Sequence, residues 1–164
     1  MEAVIREYRP SDRESIKSCI KELQEYVSDL DTLKRTRDLP AFNGDAYIDC
    51  TLKRVEKCSG NIFVAEEDGR IAGCIVGIIS EQNEIDSLES YPSKSGSILE
   101  LIVTSEHRKS GLGTRLMQAM EEYFRTQGCT CAFVDCFAPN ISAHEFYVRA
   151  GYIDRMHLML KLLS

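Results

Sequence analysis

A chain of 164 residues with 43% hydrophobic side chains has apolar material for one core and too little length for two, so a single domain over 1–164 is expected. Its formal net charge of -6 speaks against a general nucleic-acid binder, which needs a basic surface to displace counterions from phosphates. No stretch reaches the roughly 18 uninterrupted apolar residues of a membrane span, and MEAVIREYRPSD lacks the basic-then-apolar layout of a secretory signal; a cytoplasmic protein with small or cationic partners is expected, with neither nucleic acid nor membrane among them.

In chain order, Val4 to Tyr8 reads as a strand, and Ser11 with Glu14 makes an S-x-x-E capping box opening a helix through Ile16, Ile20, Leu23 and Val27. A polar stretch, SDLDTLKRTRDLPAFNG, leads to a helix over Asp45 to Lys57 that Ser59-Gly60 closes. NIFVAEE and RIAGCIVGIIS flank Asp68-Gly69 and predict a β-hairpin. After the loop EQNEIDSLESYPSKSG, SILELIVT is a further strand. A helix follows with Leu112, Leu116, Ala119, Met120 and Tyr123 on one face, ended by Gly128. TCAFVDCFA is a strand, Ser142 with Glu145 makes a second capping box for a short helix ending at Gly151, and MHLMLKLL supplies a last strand. This order describes an α/β or α+β domain in which SILELIVT and TCAFVDCFA pair in parallel through a right-handed crossover.

Seven cysteines without a C-x-x-C pair indicate neither a disulfide framework nor a zinc clip. Cys129, Cys131 and Cys136 fail as a ligand set, since on a strand the first two share a face and the third points the opposite way. They are expected to be buried, inert thiols, and no metal is expected.

The segment EHRKSGLGTRLM places three basic side chains around two glycines at a strand-to-helix junction. Glycines there let main-chain N–H groups approach a ligand, and the helix directs its positive end at the loop, an arrangement suited to an anion. The letters fit neither a P-loop nor a dinucleotide fingerprint, which leaves R-x-x-G-x-G at Arg108, Gly111 and Gly113. Alone, it reads more readily as a plain strand-to-helix turn. A second constellation lies in NISAHEFYVRAGY, where Ala143, Tyr147 and Ala150 share a helical face behind Asn140; alone, Tyr147 reads more readily as a packing residue.

Together, in order and spacing, the two segments resemble the GNAT superfamily of N-acetyltransferases. The family pattern L-x-V followed by Q/R-x-x-G-x-G/A is matched by Leu101, Val103, Arg108, Gly111 and Gly113. Its later N-x-x-A-x-x-x-Y and G-F/Y pattern is matched by Asn140, Ala143, Tyr147, Gly151 and Tyr152. The resemblance implies a mixed, mostly antiparallel central sheet with a parallel, splayed central strand pair, flanked by helices. It implies an acetyl-CoA-binding core over 97–152, with 1–60 supplying substrate-side helices. Acetyl-CoA would be the cosubstrate, its diphosphate held by the amides of Lys109, Ser110, Gly111, Leu112, Gly113 and Thr114 with Arg108, Lys109 and Arg115 nearby. Its pantetheine arm would bond to the strand edge at Leu101, Ile102 and Val103, with Asn140 and Tyr147 also lining the cofactor.

The reaction so implied moves an acetyl group to a primary amine by direct attack in a ternary complex. A protonated amine needs a base. Asp135, five residues before Asn140, occupies the position at which some family members carry a catalytic glutamate, and Glu100, a charge inside an apolar strand, is the alternative. The amide of Val103 or Ile102 would meet the oxyanion, and Tyr147 would protonate the departing sulfur. A cysteine relay through Cys136 would need an adjacent base, and His144 is expected to face away, with His144 and His107 solvated. Acid-rich loops carrying Glu81, Glu84, Asp86 and Glu89, and Asp29, Asp31, Asp38, Asp45 and Asp49 with Phe42 and Tyr47, could draw a cationic acceptor or simply face water. An acyl-CoA-sensing domain without turnover and a protein or peptide N-acetyltransferase are the alternatives. The resemblance also leaves room for a homodimer.

Overall fold

A computed structural model describes residues 3–163. In chain order the elements are β1 (Val4–Glu7), α1 (Arg13–Leu30), α2 (Gly44–Lys57), β2 (Asn61–Glu67), β3 (Arg70–Glu81), α3 (Glu84–Glu89), β4 (Lys94–Val103), α4 (Leu112–Thr126), β5 (Cys131–Val134) and α5 (Ile141–Arg149). The strands form one sheet in the order β1-β2-β3-β4-β5, antiparallel except for the parallel pair β4–β5. The mixed, mostly antiparallel sheet flanked by helices is therefore as expected. The parallel pair, however, lies at the sheet's edge and not at its centre, because MHLMLKLL forms no strand in the described structure.

Apolar residues alternate to two faces of the sheet, and each face is covered differently. Leu112, Leu116, Met117, Met120 and Phe124 of α4 pack on Ala65, Ile75 and Ile98. On the other face Ile16, Cys19 and Ile20 of α1 and Ile48 of α2 cover Ile62, Val64, Cys74, Val76 and Ile102. Arg13 bonds Asp45 at 3.0 Å and Asp49 at 2.9 Å, and Lys17 bonds Asp45 at 2.9 Å, clasping α2 onto α1. The hairpin turn at Asp68-Gly69 has φ of 49 and 75, the paired positive values a two-residue turn demands.

One irregularity in β4 positions the site. Val76 pairs with Glu100 and Gly77 with Ile98, so Leu99 has no partner on β3. The extra residue is a β-bulge, and it switches the facing of the strand. Ile98 packs on the α4 side, whereas Leu99 packs on the α1–α2 side and Glu100 lies opposite Val76 of that same side.

Several local expectations are revised. Helix α1 begins at Arg13, not at a box on Ser11: Ser11 lies in a single 3-10 turn, and the Asp12 carboxylate accepts from the Arg9 amide at 2.7 Å and from Arg6 at 2.7 and 2.9 Å. Helix α5 is capped by Asn140, whose side chain accepts from the Ala143 amide at 3.2 Å, and Ser142 merely donates to that same oxygen. The loop before β4 contains α3, capped by Asn83, and β4 starts at Lys94, because β3 is long enough to pair Glu81 with Lys94 and Ser80 with Ser95. The thiols also differ from expectation: Cys131 is exposed, and Cys129 and Cys136 are only half-buried. Among the described residues no strand follows β5, and its outer edge has no strand partner.

Candidate active site

Strands β4 and β5 pair from Ser95–Cys131 to Ile98–Val134 and no further. Past the bulge they part, and a cleft of about 150 Å³ opens between them. Its walls include Leu99, Glu100 and Leu101 of β4, Asp135 and Cys136 after β5, Asn140, and Tyr147 of α5, with Leu23 and Val27 of α1 on one side. The peptide edge from Leu101 to Val103 has β3 on one side and no strand on the other. Such an edge fits an extended chain bearing amides, as the pantetheine arm does.

At the far end of β4, a loop turns into α4. His107 braces it, with Nδ1 2.8 Å from the Thr104 hydroxyl and Nε2 2.9 Å from Glu67; His107 is thus tied into the loop and not solvated as expected. Lys109 and Gly111 both adopt the left-handed region, with φ of 62 and 86. The space where a Gly111 side chain would stand is open to beyond 4 Å, and the first amides of α4 have no acceptor within their own helix. This loop suits a diphosphate. Gly113, two residues on, lets the Phe146 ring approach to 3.4 Å of where its Cβ would be, which seats α5 against α4.

The Arg108 side chain, expected beside the diphosphate, is engaged on α1. Its Nε donates to the Val103 carbonyl at 3.2 Å, Nη2 donates to Glu22 at 2.9 Å, and the guanidinium stacks over the Tyr26 ring at 5.6 Å. Glu22 also accepts from the Ser105 amide at 2.9 Å. Arg108 therefore shapes the loop, and the groups the loop offers an anion are its main-chain N–H donors.

Glu100 is aimed into the cleft by the bulge, where the Tyr47 hydroxyl of α2 donates to it. Burial pushes the Glu100 carboxyl up, opposed by that hydrogen bond. Burial, with the carboxylate beside it, pushes the Tyr47 phenol up as well. Phe42 packs on Tyr47 at 5.4 Å between ring centroids. Sequence reading noted Tyr47 only as an aromatic among acidic residues; no local pattern connects positions 53 residues apart.

Tyr147 is held between Phe146 and Tyr152, with ring centroids 5.5 and 6.0 Å away. Its phenol is pushed up to about 12, chiefly by burial, with the Cys136 thiol and Glu100 adding to the shift. Burial also pushes the Cys136 thiol up, away from the thiolate a nucleophile requires. His144 bonds Asp154 at 2.9 Å, so it is neither simply solvated nor a partner for Cys136. Asp135 lines the cleft just past β5 but stays exposed. Asn140, expected to touch the cofactor, has its side chain on the α5 cap.

Five of the nine acids in the acid-rich stretches are committed internally. Asp45 and Asp49 hold Arg13, Asp38 accepts from the Ala41 amide, and Asp86 from the Asn83 amide. Asp31 accepts from the amides of Leu33, Arg35 and Thr36 at 3.0, 2.8 and 2.7 Å.

A sequence model of the acetyltransferase (GNAT) family matches residues 23–152. Among curated sequences, the chain is 35% identical over 94 residues to an uncharacterized N-acetyltransferase, MJ1530, of Methanocaldococcus jannaschii, covering 57% of this chain and 53% of that protein. The chain thus spans about half the length of that relative. Among solved structures it is similar to a mutant of the BH1408 protein of Bacillus halodurans, with a TM-score of 0.84 at 18% identity over 98% of this chain and 99% of that one. It is also similar to AAC(6')-Iy in complex with a bisubstrate analogue of CoA and acetylneamine, with a TM-score of 0.74 at 16% identity over 100% and 99% of the two chains. The loop before α4, the parting of β4 from β5 and the family match over 23–152 agree with one another, and the chain belongs to the acetyltransferase (GNAT) family.

Proposed function

We propose that this chain transfers an acetyl group from acetyl-CoA to a primary amine by direct attack in a ternary complex. The observation that carries the reading is the meeting of Glu100 and Tyr147 in the cleft where β4 leaves β5. The loop amides from Lys109 to Thr114 and the free strand edge at Leu101 to Val103 are the groups that would hold the cosubstrate, with Tyr147 lining the cleft. When bound, acetyl-CoA supplies an activated acetyl thioester.

The chain's own residues then divide the work. Glu100, with its proton affinity raised by burial, is the better base for an incoming ammonium group, and Asp135, which lines the cleft but is exposed, is the second carboxylate. The Ile102 or Val103 amide is placed along the open strand edge to meet developing negative charge. Tyr147, with its phenol held protonated far above neutral pH, gives its proton to the departing sulfur. The acceptor enters from the side of α1 and α2, past Leu23, Val27 and the Tyr47–Phe42 pair. Seven free cysteines support a reducing, cytoplasmic setting.

The test follows free thiol released from acetyl-CoA over a panel of polyamines, aminoglycosides, amino sugars and lysine peptides, with Tyr147→Phe alongside. Amine-dependent release that the substitution suppresses supports the proposal. CoA binding without turnover on any amine would favour a sensing domain. Mass spectrometry of acetylated cell extract separates small acceptors from protein ones.

A further inference from the structure

The turn that joins β4 to α4 is clasped from two sides. Toward β3, the Thr104 amide and hydroxyl both donate to the Ala72 carbonyl, at 2.9 and 3.1 Å, and His107 bridges Thr104 to Glu67. Toward the cleft, the clasp comes from α1. One oxygen of Glu22, Oε1, accepts from the Ser105 amide and from Arg108 Nη2, each at 2.9 Å, while Arg108 Nε donates to the Val103 carbonyl at 3.2 Å.

The Val103 carbonyl and the Thr104 amide belong to one trans peptide and point opposite ways. Since that amide turns to β3, the carbonyl turns to the edge that β5 has left, and the Val103 N–H faces the same side as its own carbonyl. Arg108 therefore caps the last carbonyl of the open edge, beside a main-chain donor of the cleft. Glu22 holds Arg108 by charge. Tyr26, one helical turn further along α1, holds its plane, with the guanidinium 5.6 Å from the ring centre. A lysine cannot reach carbonyl, carboxylate and ring at once. The adjoining stripe of α1, Leu23 and Val27, walls the cleft, so one helix meets both the cleft and the loop.

We propose that Glu22 is a positioning residue of the cosubstrate loop: acting through Arg108, it sets the Val103 peptide and the placement of the amides from Lys109 to Thr114. The two side chains are 46% and 32% exposed, and an ion pair so placed adds little to folding. Its worth lies in where it holds the main chain. The setting of the turn by Glu22 stands apart from the acetyl-CoA reading, and its effect on CoA affinity rests on that reading.

The test compares Glu22→Gln, Arg108→Ala and the double variant. The glutamine keeps an oxygen for the Ser105 amide and loses the charge that holds Arg108. In 15N amide spectra taken without CoA, Glu22→Gln is expected to move the signals of Val103 and of Lys109 to Gly113 in the direction in which Arg108→Ala moves them, with Tm little changed. In calorimetric titrations with CoA, either single variant is expected to lose affinity about 5-fold and the double variant no more than that, because the two side chains act as one unit. Loop amides unmoved in Glu22→Gln, or losses that multiply in the double variant, overturn the proposal. Loop amides that respond as expected in a protein that takes up no CoA support the setting of the turn by Glu22 and remove the acetyl-CoA reading instead.

Discussion

The Tyr47 hydroxyl on α2 donates to the Glu100 carboxylate on β4, joining that helix to the carboxylate that the bulge at Leu99 aims into the cleft. Burial raises the affinity of Glu100 for a proton and this bond lowers it. Tyr47→Phe removes only the lowering influence. If Glu100 is the base, the acid limb of the kcat/KM profile moves to higher pH in that variant, while Glu100→Gln loses about 10²–10⁴-fold in kcat. A pH-rate series on both variants checks it; an unmoved acid limb assigns the base elsewhere, with Asp135 the next residue to substitute.

Tyr147→Phe keeps the ring contacts with Phe146 and Tyr152 and removes only the phenolic proton. The expected outcome is a fall of about 10²-fold or more in kcat with the KM for acetyl-CoA little changed. The phenol is pushed up to about 12, so the wild-type profile has no alkaline limb from this group in the ordinary assay range.

Gly111 occupies φ 86 at the first turn of α4. Gly111→Ala places a Cβ in the left-handed region at a cost of about 1–2 kcal/mol. The open space around that position means no side chain clashes, so the helix forms and the loop amides shift. A raised KM for acetyl-CoA at near-normal kcat is expected, measured beside thermal stability.

Asp31 accepts three loop amides, which hold its carboxyl down at about 2. An unfolded aspartate titrates near 3.9, so the stabilisation is complete above that value and is lost as pH falls toward about 2. Asp31→Asn is therefore expected to lower Tm at neutral pH, with the gap to wild type closing through this acid window in calorimetric scans.

Most of the frame was legible because it rests on local chemistry. Apolar runs marked the hairpin strands, the Asp68-Gly69 pair marked the turn, and the α4 stripe recurred at helical spacing, with Met117 and Phe124 extending it. The loop at Gly111 and the position of Tyr147 could be read from glycines and spacing. What escaped depends on partners distant in sequence. The bulge at Leu99 exists only against β3, and nothing in SILELIVT announces it. Tyr47 meets Glu100 through the packing of α2. Arg108 reads as a free cation until Glu22 of α1 is placed beside it. MHLMLKLL has the letters of a strand, but a strand forms only where a neighbouring backbone accepts its ladder.

The most direct test of the central claim is an amide NMR titration of the 15N-labelled protein with CoA. The account predicts saturable shifts concentrated at Lys109 to Thr114 and along Leu101 to Val103, with the Tyr147 neighbourhood following. Saturable shifts gathered at another surface, or none at those two segments, would contradict it.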